Sequence, residues 1–233
     1  AEGKMTGVFQ LESRVAQSTS RSLKPKRFED IVALVALIRP GPLGAGMHNE
    51  FADRANNRKE IEYLHSDLES ILNETYGVIL YQEQVMQIAE KIAGFNLQEA
   101  DNLRVAMGKK IPKVMEEQRK KFTDGAVSNN YSEQFAIELF DQIAYFAGYG
   151  FNKSHSVPYA LLAYQTAYLK ANYPAEYIAA CLTAVKRDKD RTAIFLSEAR
   201  DMGVKVSTPD INLSSSDFTV NDNEILFGLS AVR

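Results

Sequence analysis

Apolar residues recur at helical spacing through most of the 233-residue chain. Phe28, Ile31, Val32, Leu34, Val35 and Ile38 cover most of a helix surface, which predicts a buried helix from Phe28 to Ile38. Pro25 and Glu29-Asp30 mark its start and Pro40 its end. A short helix follows between Leu64 and Leu72, and Tyr76 to Leu80 reads as a short strand or a lead-in to a helix. Val85, Ile88, Ala89 and Ile92 predict a helix over Gln82 to Ala93 that stops at Gly94. Asn96 then caps a helix carried by Leu97, Ala100, Leu103 and Met107, with Gly108 as its end. Further helices are predicted from Pro112 toward Phe122, from Ser132 to Phe146, from His155 to about Ala171, from Pro174 to Val185 and from Arg191 to Met202. Short strands are expected at Val204–Val206, Phe218–Val220 and Ile225–Phe227, with a hairpin turn at Asn221-Asp222-Asn223. The fold class expected is mainly α with a small β-containing C-terminal tail. The domain division expected is residues 1–203 and 204–233.

Composition narrows the class only a little. The net charge of −3 is no nucleic-acid signature in itself. Its distribution is more telling, because Arg104, Lys109, Lys110, Lys113, Arg119, Lys120 and Lys121 form a basic block opposed only by Glu116 and Glu117. Acidic stretches lie at Glu60–Glu74 and Asp210–Glu224. The single cysteine, Cys181, sits in an apolar helical run and reads as a small hydrophobe, so no disulfide forms within the chain and a cytoplasmic setting is expected. No apolar run approaches the ~20 residues of a membrane span. The first residue is Ala1, and Gly228 to Arg233 read as ordered structure, so the sequence is expected to be cut from a longer polypeptide.

Candidate chemistry gathers in a few turns. Gly148-Tyr149-Gly150-Phe151-Asn152-Lys153-Ser154-His155 opens a helix with two glycines, an amide, a cation, a hydroxyl and an imidazole. Such a turn builds an anion site from helix N–H groups, the helix dipole and Lys153. It is equally a turn capped by Ser154 or Ser156 with Lys153 and His155 exposed. Arg104, Lys109 and Lys110 flank Met107-Gly108, either facing one anion from a turn between helices or favouring a helix C-terminus as exposed cations. Gln82 and Gln84, in Tyr81-Gln82-Glu83-Gln84, suit contacts to a nucleic acid or an internal capping network. Arg39, fixed by Pro40 and Pro42, suits a phosphate contact or a structural ion pair. The tyrosines at 159, 164, 168, 173 and 177 read mostly as packing residues. Asp188-Lys189-Asp190 reads as a cap and solvated turn rather than a metal site, and no His- or Cys-rich metal spacing, Walker A loop or nucleophile elbow is present.

Taken in order, these segments resemble the fingers region of the C-family replicative DNA polymerases, the bacterial DNA polymerase III alpha subunits. The resemblance is carried by Gly7-Val8-Phe9-Gln10-Leu11-Glu12-Ser13, Phe28-Glu29-Asp30-Ile31 and Ala36-Leu37-Ile38-Arg39-Pro40-Gly41-Pro42. It continues through Thr75 to Met86, Ala100-Asp101 with Leu103-Arg104, Ala106-Met107-Gly108-Lys109-Lys110, and Phe146 to His155. It implies a multi-helix fingers domain of a nucleotidyltransferase that extends a primer on a DNA template.

The resemblance further implies that Arg104, Lys109, Lys110, Lys153, Ser154 and His155 bind the triphosphate of an incoming deoxynucleotide. Arg39, Gln82, Gln84 and Asn152 would support them or contact DNA. Many relatives carry a second arginine after the one matched by Arg104, and here that position is Val105. The catalytic palm aspartates and the Mg2+ they hold have no counterpart in this sequence, so the chain by itself is expected to be inactive and to hold no metal. Helix-hairpin-helix elements are expected beyond residue 233. Implied partners are template-primer DNA, dNTP and, through the parent protein, the sliding clamp, clamp loader and proofreading exonuclease. The alternative is a replisome protein-interaction module without its own nucleotide site, with the acidic stretch at Asp210–Glu224 as its docking face.

Overall fold

A computed structural model describes residues 3–109, 111–147 and 150–232. Of Ala147 only the helical backbone is described, while Lys110, Gly148 and Tyr149 lie outside the described residues. The helices among the described residues are α1 (Arg14–Leu23), α2 (Phe28–Leu37), α3 (Pro40–Gly44), α4 (Met47–Ala55), α5 (Glu69–Leu72) and α6 (Gln82–Ala93). They continue with α7 (Leu97–Lys109), α8 (Pro112–Ser128), α9 (Glu133–Ala147), α10 (Lys153–Asn172), α11 (Pro174–Val185) and α12 (Lys189–Asp201). The strands β1 (Thr219–Asn221) and β2 (Glu224–Leu226) pair antiparallel, with Val220 opposite Ile225. The protein is therefore mainly α with a small β element near its C-terminus. The chain forms two compact units, one of residues 1–3 and 18–160, the other of residues 4–17 and 161–233.

In the first unit, α6 to α9 pack around a core of Ile88, Ile92, Leu103, Phe122, Phe140 and Ile143. The approach of α6 to α8 is close enough to require a glycine. A Cβ at Gly125 would stand 2.2 Å from the carbonyl oxygen of Ala93, so any side chain there pushes two helix backbones apart. Gly94 ends α6 in the left-handed conformation at φ 67°, as its place after the apolar repeat predicts. Asn96 and Glu99 form a reciprocal capping box at the start of α7: Glu99 N–H donates to Asn96 Oδ1 at 3.0 Å and Asn96 N–H to Glu99 Oε2 at 2.9 Å.

Several boundaries differ from the sequence reading. Helix α7 runs through Gly108 to Lys109, because no backbone strain at Gly108 forces a stop and nothing lies within 4 Å of a Cβ built there. Pro40 does not merely end α2; it opens α3 at the first helical position, with Arg39 as the extended N-cap. Pro158 lies in the second turn of α10, where its missing N–H leaves the Ser154 carbonyl without its helical donor. Tyr76 and Gly77 form a left-handed turn at φ 52° and 79°, residues 78–80 belong to no strand, and Tyr81 makes an isolated parallel bridge to Phe151.

In the second unit, α11 and α12 pack with the hairpin around Ile178, Leu182, Phe195, Phe218 and Ile225. Asp222 and Asn223 both take positive φ, 47° and 64°, which matches the twist a two-residue hairpin needs. Val204–Val206 is not a strand; Val206 makes a single bridge to Ile225. Asp188 caps α12 by accepting from Arg191 N–H at 3.0 Å, as read from the sequence. The segment 4–17 is held by the buried ammonium of Lys170, which donates to the carbonyls of Lys4 and Thr6 and pairs with Glu198 at 2.6 Å. Tyr177 donates to the Gly7 carbonyl at 2.6 Å. Tyr164, Tyr168 and Tyr173 are about half exposed rather than packed, since they lie on the open side of α10 and at the start of α11. Among the described residues no helix is long and apolar enough to cross a membrane.

Candidate functional site

The start of α6 and the start of α10 meet in one corner of the first unit. Two backbone hydrogen bonds join them: Phe151 N–H donates to the Leu80 carbonyl and Gln82 N–H donates to the Phe151 carbonyl, both at 3.0 Å. The Gln82 side chain adds a third link, from Nε2 to the Gly150 carbonyl at 3.1 Å. Its Oε1 faces Arg104 Nη1 at 3.5 Å, which brings α7 to the same corner. Arg104 also holds Asp101 on its own helix at 2.8 Å.

Gln84 stands behind this corner and is 1 % exposed. Its Oε1 accepts from the N–H groups of Leu80 and Tyr81, both at 2.9 Å, and its Nε2 donates to Thr75 Oγ1 at 2.8 Å. Gln84 thus supports the corner from inside and has no edge left for a ligand. Of the two readings the sequence left open for these amides, the internal network describes Gln84, while Gln82 spends its amide on the Gly150 carbonyl and on Arg104.

Asn152, not Ser154 or Ser156, caps α10: its Oδ1 accepts from His155 N–H at 2.8 Å. Ser156 is buried and donates to the Val32 carbonyl at 2.6 Å, tying α10 to α2. The first-turn N–H of Lys153 points at the Glu83 carboxylate, 3.0 Å from each oxygen, and Ser154 N–H reaches the same group at 3.4 Å. Lys153 Nζ pairs with Glu74 at 2.6 Å and lies 5.5 Å from the Tyr81 ring centre. The exposed guanidinium of Arg39 lies 3.8 Å from the centre of the Phe151 ring. His155 continues the row of rings, 5.6 Å from Phe151 and 4.4 Å from Tyr159.

The Tyr81 phenol is pushed far above its ordinary value, first by burial and then by the carboxylates of Glu74, Glu83, Asp30 and Glu29. It is therefore a fixed neutral wall beside Lys153. Asp30, buried behind Tyr76, is pushed up by burial but held below the ordinary carboxylate range on balance. It accepts from the N–H groups of Lys26 and Arg27, the Tyr76 hydroxyl and the Arg27 guanidinium.

Arg39, Gln82, Arg104, Asn152, Lys153, Ser154 and His155 are thus gathered at one corner of the first unit. Lys109 is not. It follows Arg104 by five residues on a continuous helix, a rotation of about 140°, and lines a groove between α7 and α8 with Asn102, Val105, Ile111 and Gln118. Lys110 lies outside the described residues. The sequence reading missed Glu74, Glu83 and Asp101 as parts of the corner. Glu83 sits between two amides already singled out, and a carboxylate in the first turn of a helix was the available signal. Among the described residues no three imidazole, thiol or carboxylate groups gather as metal ligands.

A model of the bacterial DNA polymerase III alpha subunit finger domain matches residues 1–130, more than half of the chain. The chain belongs to the bacterial DNA polymerase III alpha subunit family. It is 50 % identical over 237 residues to the DNA polymerase III subunit alpha of Saccharopolyspora erythraea, a match that covers 100 % of this chain. The corresponding subunits of Mycobacterium tuberculosis and Escherichia coli K12 are 48 % and 49 % identical over 99 % and 98 % of it. The chain spans about a fifth of the length of these relatives. A helix-hairpin-helix model matches residues 203–233, inside the chain, where the sequence reading had placed such elements beyond residue 233.

Proposed function

We propose that the corner where α6, α7 and α10 meet binds the triphosphate of an incoming dNTP, next to template-primer DNA, in template-directed DNA synthesis. The observation that carries this reading is the convergence of Arg104, Gln82, Lys153 and the first-turn N–H groups of α10 on one corner, with Arg39 stacked beside it. Cations and N–H donors held in advance of the reaction stabilise charge that develops on the departing pyrophosphate. Arg39, Lys153 and Arg104 supply charge, Ser154 supplies an exposed hydroxyl, and the His155–Phe151 row supplies flat faces for a base or sugar. Lys109, in the groove between α7 and α8, suits the DNA backbone. The helix-hairpin-helix match at residues 203–233 supports DNA binding by the second unit as well.

Mg2+ and the aspartates that activate the primer hydroxyl belong to the rest of the parent polypeptide, which acts in the cytoplasm with the other replisome subunits. The chain alone binds weakly and does not catalyse. The test is a titration of dNTP and primer-template DNA at low and moderate salt against the chain and its Arg104→Ala and Lys153→Ala variants. Salt-sensitive binding lost in both variants supports the reading. Binding unchanged in both, or a protein partner captured through residues 210–224 regardless of these substitutions, favours the interaction-module alternative.

A further inference from the structure

Of the three cations of this corner, Lys153 and Arg104 are already paired with a carboxylate and Arg39 is not, among the described residues. Glu83 takes the Lys153 N–H with both oxygens and the Ser154 N–H with one. Glu74 holds Lys153 Nζ at 2.6 Å, and Asp101 holds Arg104 at 2.8 Å. Arg39 alone among these cations has no carboxylate partner among the described residues; its guanidinium rests on Phe151. The Lys153–Glu74 pair is about one-third exposed on both sides, the kind of pair whose opening costs little.

We propose that Glu83 and Glu74 are stand-in anions that make the corner select a polyphosphate chain over a single phosphate; this rests on the triphosphate reading above. A lone phosphate that displaces one carboxylate exchanges one anionic partner for another and leaves an unpaired carboxylate beside it, so it gains little. A chain of three phosphates engages the free Arg39 while its remaining groups take Lys153 and the α10 N–H groups together. Its added charges exceed those of the carboxylates it moves aside. The carboxylates thus set a charge threshold for entry. They act by excluding weaker anions and not by touching the reacting atoms.

The experiment is calorimetric titration of the chain with inorganic phosphate and with tripolyphosphate at constant ionic strength, for the unaltered protein and for Glu83→Gln, Glu74→Gln and Lys153→Met. The unaltered chain is expected to bind tripolyphosphate and to discriminate against phosphate. Either glutamine variant is expected to tighten phosphate binding by roughly tenfold, from charge-assisted hydrogen bonds released to the ligand, and to tighten tripolyphosphate less. Glu74→Gln changes only an ion pair about one-third exposed and leaves the α10 cap in place, so it serves if Glu83→Gln lowers stability; a thermal melt checks both. An unchanged or widened discrimination in both glutamine variants, with tripolyphosphate binding still lost in Lys153→Met, overturns the stand-in role and leaves the triphosphate reading intact. Tripolyphosphate binding that is absent throughout, or indifferent to Lys153→Met, overturns both.

Discussion

The guanidinium carbon of Arg39 lies over the Phe151 ring, 3.8 Å from its centre, although the two residues belong to segments far apart in the chain. Stacking leaves the in-plane N–H groups of an arginine free for an anion while it fixes the direction in which they point. Arg39→Ala is expected to weaken triphosphate or DNA binding by about 1.5–3 kcal/mol, about tenfold or more. Arg39→Lys restores the charge but not the stack and is expected to recover only part of the loss. Equilibrium binding of the two variants decides it: full recovery by lysine shows that charge alone acts.

Arg104 and Lys109 are expected to behave differently, because a continuous α7 turns them to different sides. Arg104→Ala is expected to reduce dNTP binding, and Lys109→Ala to leave it nearly unchanged while lowering the salt dependence of DNA binding by about one unit of slope. Equal losses of dNTP binding in the two variants contradict the separation.

Gly125 and Gly108 predict opposite signs for the same substitution. Gly125→Ala places a methyl group 2.2 Å from the Ala93 carbonyl oxygen and is expected to destabilise the first unit by about 1–3 kcal/mol or more. Gly108→Ala meets nothing within 4 Å in a helical segment and is expected to stabilise by about 0.5–1 kcal/mol. Denaturant melts of the two variants give the signs directly.

Asp30 ties the start of α2 to Tyr76, and its carboxyl titrates below its ordinary value in the folded chain. A depressed folded value means that the stabilisation is fully present above the unfolded carboxylate value and is lost as pH falls through the folded one. Asp30→Asn is therefore expected to destabilise the protein at neutral pH and to flatten its acid unfolding curve. Tyr76→Phe, which removes one of the four groups of donors, is expected to do the same to a smaller degree. Melts between neutral and acidic pH measure both.

Much of the fold is legible in the sequence wherever spacing and caps agree. Gly94, Asn96, Pro112, Pro174 and Asp188 all mark helix ends that the structure contains. Gly108 lies one residue short of the end of α7 among the described residues, because its backbone stays helical rather than turning left-handed there. The tyrosines of α10 misled because helical spacing does not say which faces have a neighbour. Within the corner, the basic and amide residues stand out as motifs. Glu74, Glu83 and Asp101 do not, since a carboxylate reveals its role only when the fold shows which cation or N–H it faces. Gln84 could be sorted from Gln82 only by burial, a property of the assembled core.

The contact between Glu83 and the Lys153 N–H joins positions 70 residues apart, and the bridge from Tyr81 to Phe151 does the same beside it. Closing so long a loop costs chain entropy before any contact rewards it, whereas α6 to α9 pack mostly against sequence neighbours. The bundle therefore assembles ahead of the corner. A chain caught early in refolding is expected to regain its helical signal before it regains the contacts between the starts of α6 and α10, so the Tyr81–Phe151 bridge is expected to be protected later than the bundle.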